Sequence, residues 1–461
     1  TPKLSIVLTP GISNSEKLSN EDSSINSYSI GNNSNLNKLI SFKPGIEFAK
    51  EQDLIDPLAH YRTKFHIPKN SRGEEWLYFT GNSLGLQPKK TKQYIEQELD
   101  DWAKLGVEGH FEAKNPWMPY HEFLTETMAE IVGAKPIEVV IMNTLTTNLH
   151  LLMVSFYQPT KLKNKILIES DAFPSDRYAV ETQLRYHGYD PVESLIEWSP
   201  RKGETLLNME DLESMLHSHG HEIALLLIGG VNYYTGQYLD LKKISELGHK
   251  KECKVGIDLA HGVGNIQPNL HESGVDFAAW CTYKYMNSGP GSLGSIFVHE
   301  RYAHDQTLKR FAGWWSQNKK TRFDMRQPLD ITPGAEGWQL SNPPILSMAA
   351  IKASLALFSE VGMPSLIKKS KKLTGYLEYL ILKLNNNNIS IITPKDPEQR
   401  GCQLSIKVKN ANKSLHDKLT EENIITDWRN PDVIRCAPVP FYNSFEDVFK
   451  MVEQLKNILN V

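Results

Sequence analysis

The chain has 461 residues, with 40% apolar and 23% charged side chains and 51 Lys and Arg against 54 Asp and Glu, a net charge of −3. That is the ordinary soluble-globular mix, and it offers neither a basic footprint for nucleic acid nor a cationic face for a membrane surface. Its longest unbroken apolar run, glycine included, is the nine residues Ile223–Val231, well short of the roughly 20 that a spanning helix needs. The length predicts two or three domains. Four cysteines, Cys253, Cys281, Cys402 and Cys436, stand far apart, which argues against a disulfide framework and a Cys-based zinc site. A reducing compartment, the cytoplasm, is expected.

Between Ser13 and Ser41, 16 of 29 residues are Ser or Asn. Such a stretch cannot bury enough apolar surface to offset its ordering entropy, so residues 1–47 are expected to be a disordered tail. A transit peptide fits poorly, because no Arg precedes Arg62 and Glu16, Glu21 and Asp22 are acidic. Leu4–Leu8 is too brief for a signal core, while a removed leader ahead of Thr1 stays open. From Phe48 the pattern turns globular. Ile95, Leu99 and Trp102 recur at i, i+4 and i+7, as do Leu124, Met128 and Ile131, which predicts two amphipathic helices. Short β-rich runs then alternate with helical ones. Val139–Met142 precedes a helix from Thr146, and Lys165–Glu169 one from Ser175; Ile223–Ile228 is followed by helical Ile244–Glu252 and then by Lys254–Ile257. This alternation predicts an α/β fold with a parallel sheet between helices, whose ligand lies beyond the carboxyl ends of the strands. After Pro343-Pro344 a helical stretch runs through Leu384, and a smaller α+β segment follows. The expected division is a large domain over residues 48–345 and a small one over residues 346–461.

Chemistry is therefore sought just after the strands. Lys254–Ile257 leads into Asp258-Leu259-Ala260-His261. An Asp so placed can bind a metal, orient a base or pair with a protonated heterocyclic nitrogen; it can equally be a helix N-cap beside a satisfied core histidine. Thr282-Tyr283-Lys284-Tyr285 follows the largely uncharged run Val275–Thr282. A lysine emerging from a buried strand suits covalent Schiff-base use, the alternative being a snorkelling surface lysine. Gly289-Pro290-Gly291-Ser292-Leu293-Gly294 spells G-x-G-x-x-G. A strand is predicted at Ser295–His299, so the loop joins strand to strand and a nicotinamide fingerprint is rejected. Its glycines are expected to allow close backbone approach beside the lysine. Asn143-Thr144-Leu145-Thr146-Thr147-Asn148 and Phe173-Pro174-Ser175-Asp176 are strand-to-helix turns of the kind that bind phosphate, although ordinary capping explains either alone. Together, a strand-end Asp, a strand-end Lys and a phosphate-type helix start favour pyridoxal phosphate.

At this point the sequence resembles the kynureninase family, within the fold-type I pyridoxal-phosphate superfamily. The carrying stretches are Tyr78–Pro88, Phe173–Asp176, Tyr234-Thr235-Gly236-Gln237, Gly256–Gly264, Thr282–Asn287, Ser341-Asn342-Pro343-Pro344 and Ile434–Pro440. The form resembled is the eukaryotic one, and the match runs from Leu54 to the C-terminus. The resemblance implies a fold-type I subunit that hydrolyses the Cβ–Cγ bond of kynurenine or 3-hydroxykynurenine to an anthranilate and alanine, in tryptophan catabolism and de novo NAD biosynthesis. It implies that Lys284 holds pyridoxal 5′-phosphate and then moves protons, that Asp258 pairs with the pyridine nitrogen and that His261 flanks the ring. Leu145, Thr146, Phe173, Pro174, Ser175 and Asp176 would hold the ring and phosphate, with Tyr283 a catalytic residue on the phosphate that relays protons. Trp314 and Asn342 match positions contributed by a partner subunit, which implies a homodimer with the active site at the interface. Arg435 matches the anchor of the substrate α-carboxylate, Ser83 lies in a substrate-binding stretch, and His110, Ser341 and Asn342 match positions around the aryl ring. No metal, membrane or nucleic acid is implied. Two departures stand out: Gly229-Gly230 where relatives commonly carry Ser-Gly, and Trp315 where Phe is familiar.

Other readings predict other features. A class V aminotransferase or a desulfurase of the same superfamily would share Asp258 and Lys284 but lack the His110, Ser341 and Asn342 set. A desulfurase also needs a mobile cysteine, and Cys281 is expected inside a buried strand. A silent scaffold needs neither Lys284 nor Arg435. A metal hydrolase would bring Asp258, His261 and His271 together.

Overall fold

Seven short, mostly buried runs between Val139 and Val298 pair into one sheet. They are β1 (Val139–Ile141), β2 (Lys165–Glu169), β3 (Leu195–Trp198), β4 (Ile223–Gly229), β5 (Lys254–Asp258), β6 (Phe277–Cys281) and β7 (Gly294–Val298), in the spatial order β1-β7-β6-β5-β4-β2-β3. The computed structural model describes residues 41–325 and 328–460; the expected tail lies outside the described residues as far as residue 40, and a helix begins at Ile46. From β6 across to β3 all neighbours are parallel. β7 runs antiparallel between β6 and β1; residues 282–293, which join β6 to β7, contain no helix of the kind a parallel crossover uses.

Alternate residues of each strand feed two cores, one on each face of the sheet. Leu167, Leu226, Ile228, Ile257 and Trp280 enter one; Ile166, Ile168, Leu225, Leu227 and Phe277 enter the other. Burial on both faces is why these strands read as continuous apolar runs rather than as alternating ones. Helices Leu145–Phe156, Pro174–Tyr186, Met209–His219 and Leu241–His249 supply the connections.

A second sheet is built from β8 (Ile389–Ile391), β9 (Leu404–Val408), β10 (Asp427–Arg429) and β11 (Val433–Cys436), in the antiparallel order β10-β11-β9-β8. Leu77–Tyr78 pairs in parallel with Ile424–Ile425, and Thr80 bridges Ala437. Those contacts carry the Thr80–Gly85 stretch to the end of β11. Residues Lys43–Val461 form one compact unit.

Two expectations are corrected. In helix Thr91–Leu105 the expected inward stripe is not the buried one: Leu99 is 41% and Trp102 62% exposed, whereas Glu98 and Asp101 are buried. The reason is hydrogen bonding. The Glu98 carboxylate accepts from Asn115 Nδ2 (2.8 Å), Trp117 Nε1 (3.0 Å) and Tyr120 Oη (3.0 Å), and Asp101 accepts from the Lys114 amide. Secondly, the 289–294 glycines do not press against the lysine. Gly289 and Gly291 turn the chain at φ 97° and 67° with open space around them, and Gly294 packs against the Trp280 carbonyl. The stretch after Pro344 is helical as expected, in two helices, Ile345–Val361 and Met363–Lys383, bent by 81°. Among the described residues no single helix is long and apolar enough to cross a membrane. The bent pair places Met348, Ile351, Leu355 and Leu366 in the core.

Candidate active site

The carboxyl ends of β2, β4 and β5, with the turn after β6, enclose a cavity of about 170 Å³ lined by Asp258, His261, Lys284, Glu169, Asp176 and Tyr233 among others. Asp258 is the last residue of β5, and its Oδ1 accepts the Ala260 amide at 2.6 Å. It caps only this turn, since no helix starts there. Lys284 lies three residues beyond β6 with its Nζ 3.0 Å from His261 Nε2 and 5.9 Å from the centre of the Phe173 ring. The lysine faces the cavity rather than snorkelling outward. His261 is not a satisfied core histidine either, because its buried Nδ1 has no hydrogen-bond partner.

Three carboxyls crowd this floor. Burial raises Asp258 above the usual carboxylate range, and burial together with the facing Asp258 raises Asp176 further. Each of the two facing carboxyls opposes ionisation of the other. Burial also lifts Glu169 to about 7, against the hydrogen bonds it accepts from the Gly229 amide at 3.0 and 3.2 Å. His261 is pushed well below its ordinary value, first by burial and then by the charges of Lys284, Arg435 and Arg429. Burial raises the Tyr283 phenol. A site so far from ordinary titration is what proton-transfer chemistry requires.

Two helix starts also line the cavity. Helices Leu145–Phe156 and Pro174–Tyr186 begin at it, and neither has a side-chain N-cap. Helix starts of this kind leave amides that can hold an anion, although in the second Pro174 has no N–H and the Asp176 amide bonds the Phe173 carbonyl at 2.9 Å. Thr146 Oγ1 and Ser175 Oγ, 2.8 Å apart, join the two starts, Pro174 sets the first turn of the second, and Phe173 precedes it. Two helix starts, a lysine amine, and the unpartnered buried Asp176 Oδ1 and His261 Nδ1 fit a phosphorylated heterocyclic aldehyde.

Arg435 lies on β11 directly opposite Asp427 of β10. Its Nη2 donates to Asp427 Oδ2 at 2.5 Å and its Nη1 to the Tyr233 carbonyl at 2.6 Å. Ser83 Oγ donates to the same Asp427 oxygen at 2.8 Å. Burial opposes charge on both partners, yet Arg435, Arg429 and Ser83 hold the Asp427 carboxyl below its usual range. Tyr233 links this cluster to the cavity it lines.

Four expected residues are not brought to the cavity within one chain. His110 Nδ1 bonds the Val107 carbonyl at 2.9 Å, and its ring stands edge-on to Trp117. Trp314, 41% exposed, donates to the Arg322 carbonyl, while its neighbour Trp315 is buried under the Arg322 guanidinium. Ser341 and Asn342 are exposed. The metal-hydrolase trio is not assembled either, since His271 bonds Glu138 at 2.9 Å. Cys281 is fixed inside β6. Sequence reading missed Glu169, Tyr233, Asp427 and Arg429. Glu169, last in its strand, was open to the rule that singled out Asp258; the others depend on sheet pairing and loop packing that carry no local signal.

The fold and this strand-end lysine site define a fold-type I protein. A cystine C–S lyase in complex with cysteine persulfide superposes with a TM-score of 0.70 at 17% identity, covering 82% of this chain and 97% of that one. The cysteine desulfurase of Thermococcus onnurineus gives 0.69 at 15% identity, covering 84% and 95%. Sequence comparison is more specific. Residues 366–455 match the model of the kynureninase C-terminal domain. The kynureninase of Myxococcus xanthus is 53% identical over 415 residues, 90% of this chain and 97% of that protein. That of Koribacter versatilis is 52% identical over 413 residues, 90% and 97%, and that of Flavobacterium psychrophilum 50% over 418 residues, 90% and 98%. This chain belongs to the kynureninase family.

Proposed function

We propose that the protein hydrolyses the Cβ–Cγ bond of L-kynurenine, L-3-hydroxykynurenine or both, releasing an anthranilate and L-alanine, with pyridoxal 5′-phosphate as cofactor. The observation that carries this reading is one cavity that holds a lysine amine and is lined by the starts of two helices without side-chain N-caps. It stands in a chain about half identical to kynureninases. Lys284 would hold the cofactor covalently through Nζ. The first-turn amides at Leu145 and Thr146, Ser175 and Tyr283 would take the phosphate, with Phe173 and Pro174 shaping that wall. Asp258 would pair with the pyridine nitrogen, backed by Asp176, and His261 would flank the ring. Bound there, the cofactor supplies an electron sink for charge developing at the substrate α-carbon.

The chain's own groups then divide the work. The Lys284 amine, whose Nζ lies 3.0 Å from His261 Nε2, would take the α-proton. Asp258, fixed by the Ala260 amide, would stabilise positive charge at the ring nitrogen without reorganising. Arg435, held by Asp427 and backed by Ser83, receives the substrate carboxylate. Trp314 and Asn342, remote from their own cavity, would serve a neighbouring copy in a homodimer, and His110 and Ser341 would meet the aryl ring there. The large domain would span residues 48–345 and the small one residues 346–461, behind a tail of residues 1–47, in the cytoplasm.

The test is direct. Purified protein supplied with pyridoxal phosphate should develop the absorbance band of a lysine-bound cofactor, lose it on borohydride treatment, and convert kynurenine or 3-hydroxykynurenine to a fluorescent anthranilate. Absence of the band ends the cofactor assignment; a band without turnover of either substrate returns the protein to the aminotransferase or desulfurase types.

A further inference from the structure

The arginine expected to anchor the substrate carboxylate is itself sealed. Arg435 is 1% exposed; one Nη is engaged by Asp427 and the other by the Tyr233 carbonyl, and its Nε is buried without a partner. A second guanidinium stands beside it. Arg429, on the strand next to β11, lies with Nε 3.0 Å from Asp427 Oδ1 and Nη2 3.2 Å from Oδ2, and its side chain is 33% exposed. Both guanidiniums face the same aromatic ring, Tyr233, at 5.7 Å for Arg429 and 5.9 Å for Arg435. Tyr233 lines the cavity that holds Lys284, and the charges of both arginines reach His261 there.

The charge count is the second part of the argument. Among the described residues Asp427 is the only carboxylate within ion-pair distance of either arginine. One carboxylate shared by two guanidiniums leaves one positive charge without a protein counter-ion, on a pair of which Arg435 is buried and Arg429 partly exposed. Such a charge is costly unless a further anion completes it, and a single ligand carboxylate is the matching complement. Asp427 Oδ2 meanwhile accepts from Nη2 of each arginine, while both Nε atoms are buried without a hydrogen-bond partner, so each guanidinium keeps unused donors.

We propose that the substrate carboxylate is bound by two guanidiniums, Arg429 supplying the solvent-reachable donors and Arg435 the buried ones, with Asp427 positioning both. This rests on the kynureninase reading and assigns a further binding residue to the same site. The experiment uses protein loaded with pyridoxal phosphate, titrated spectroscopically with L-alanine and with L-alaninamide, which lacks the carboxylate charge. Arg429→Gln should weaken L-alanine binding by about tenfold to a hundredfold, the range of a charge-assisted hydrogen bond, and change alaninamide binding less than twofold. Arg429→Lys should fall between. In turnover, KM for kynurenine should rise with kcat held nearly constant. Unchanged alanine affinity in Arg429→Gln overturns the proposal, and so does equal weakening of both ligands, which marks a structural role. Wild-type protein that turns over neither kynurenine nor 3-hydroxykynurenine brings down the functional reading itself, a result distinguishable because it appears before any substitution is made.

Discussion

The two ends of the main sheet each bury carboxylates, and they treat them in opposite ways. At the amino end, Asp276 just before β6 accepts from the Val255 amide (2.7 Å) and Arg301 (2.9 Å) and faces His249 Nε2 at 3.0 Å. Glu138, before β1, takes the Lys135 and Glu300 amides at 2.8 Å each and lies 2.9 Å from His271 Nδ1. Burial works against Asp276, yet these partners hold its carboxyl down to about 2. At the carboxyl end, Glu169, Asp176 and Asp258 are equally buried, but burial prevails and all three rise. There the orphaned Asp176 Oδ1 and His261 Nδ1 have no protein partner. Equal burial with unequal pairing is the mark that separates a structural charge from a working one. The amino end is complete without a ligand; the carboxyl end is not.

That contrast can be broken or sharpened by substitution. The largest effect is expected at the working end: Lys284→Ala should lower turnover by about a thousandfold or more, with little change in thermal unfolding of the cofactor-free protein. A wild-type rate would refute the role of the lysine. Asp276→Asn should do the reverse, sparing the chemistry but destabilising the fold by about 3 kcal/mol, since His249 and Arg301 are left unpaired. Because the folded carboxyl is depressed from 3.8 to about 2, its contribution is fully present above pH 3.8 and lost as pH falls through 2. Acid unfolding curves of the two proteins should therefore converge at the low end.

Glu169 carries the opposite sign. Raised from 4.5 to about 7, it keeps its proton in the folded state while the unfolded chain has already lost it. Stability of the cofactor-free protein should then fall as pH climbs from 4.5 to 7, and Glu169→Gln should flatten that fall, as read by denaturant titration across the window. An unchanged slope would show Glu169 to be paired after all. Smallest is Gly229→Ala. A Cβ there would sit 2.5 Å from Glu169 Oε1, so the carboxyl must shift, and a loss of about 1–2 kcal/mol is expected. This also explains the departure at 229: the space that a serine side chain would take is filled by Glu169. The double variant Gly229→Ala with Glu169→Ala should recover most of the loss.

Much of this was legible in the chain. Strand ends at Glu169, Ile257 and Ile228 fall within a residue of expectation, because fully buried strands announce themselves as short apolar runs flanked by turn signals. Asp258, His261 and Lys284 were singled out because strand ends are where an α/β sheet collects its ligands, and all three line one cavity. Helix Thr91–Leu105 was legible as a helix but not in facing. Its apolar positions lost to Glu98, whose three donors come from residues 115–120 and exist only once the chain has turned back on itself.

What the sequence determined by itself was local: the elements, the chemistry-bearing residues at their ends, and motifs dense enough to mark the family. What tertiary structure alone decided was partnership. Asp427 meets Arg435 through antiparallel register in the second sheet, Arg429 shares that carboxylate from the next strand, and Tyr233 joins them to the cavity from a loop nearly 200 residues earlier (|i−j| is 202 for Arg435 and Tyr233). A residue's type and its neighbours in sequence set what it can do. Which charges it must share, and which of its atoms are left without a partner, is set by contacts between distant segments that no local pattern encodes.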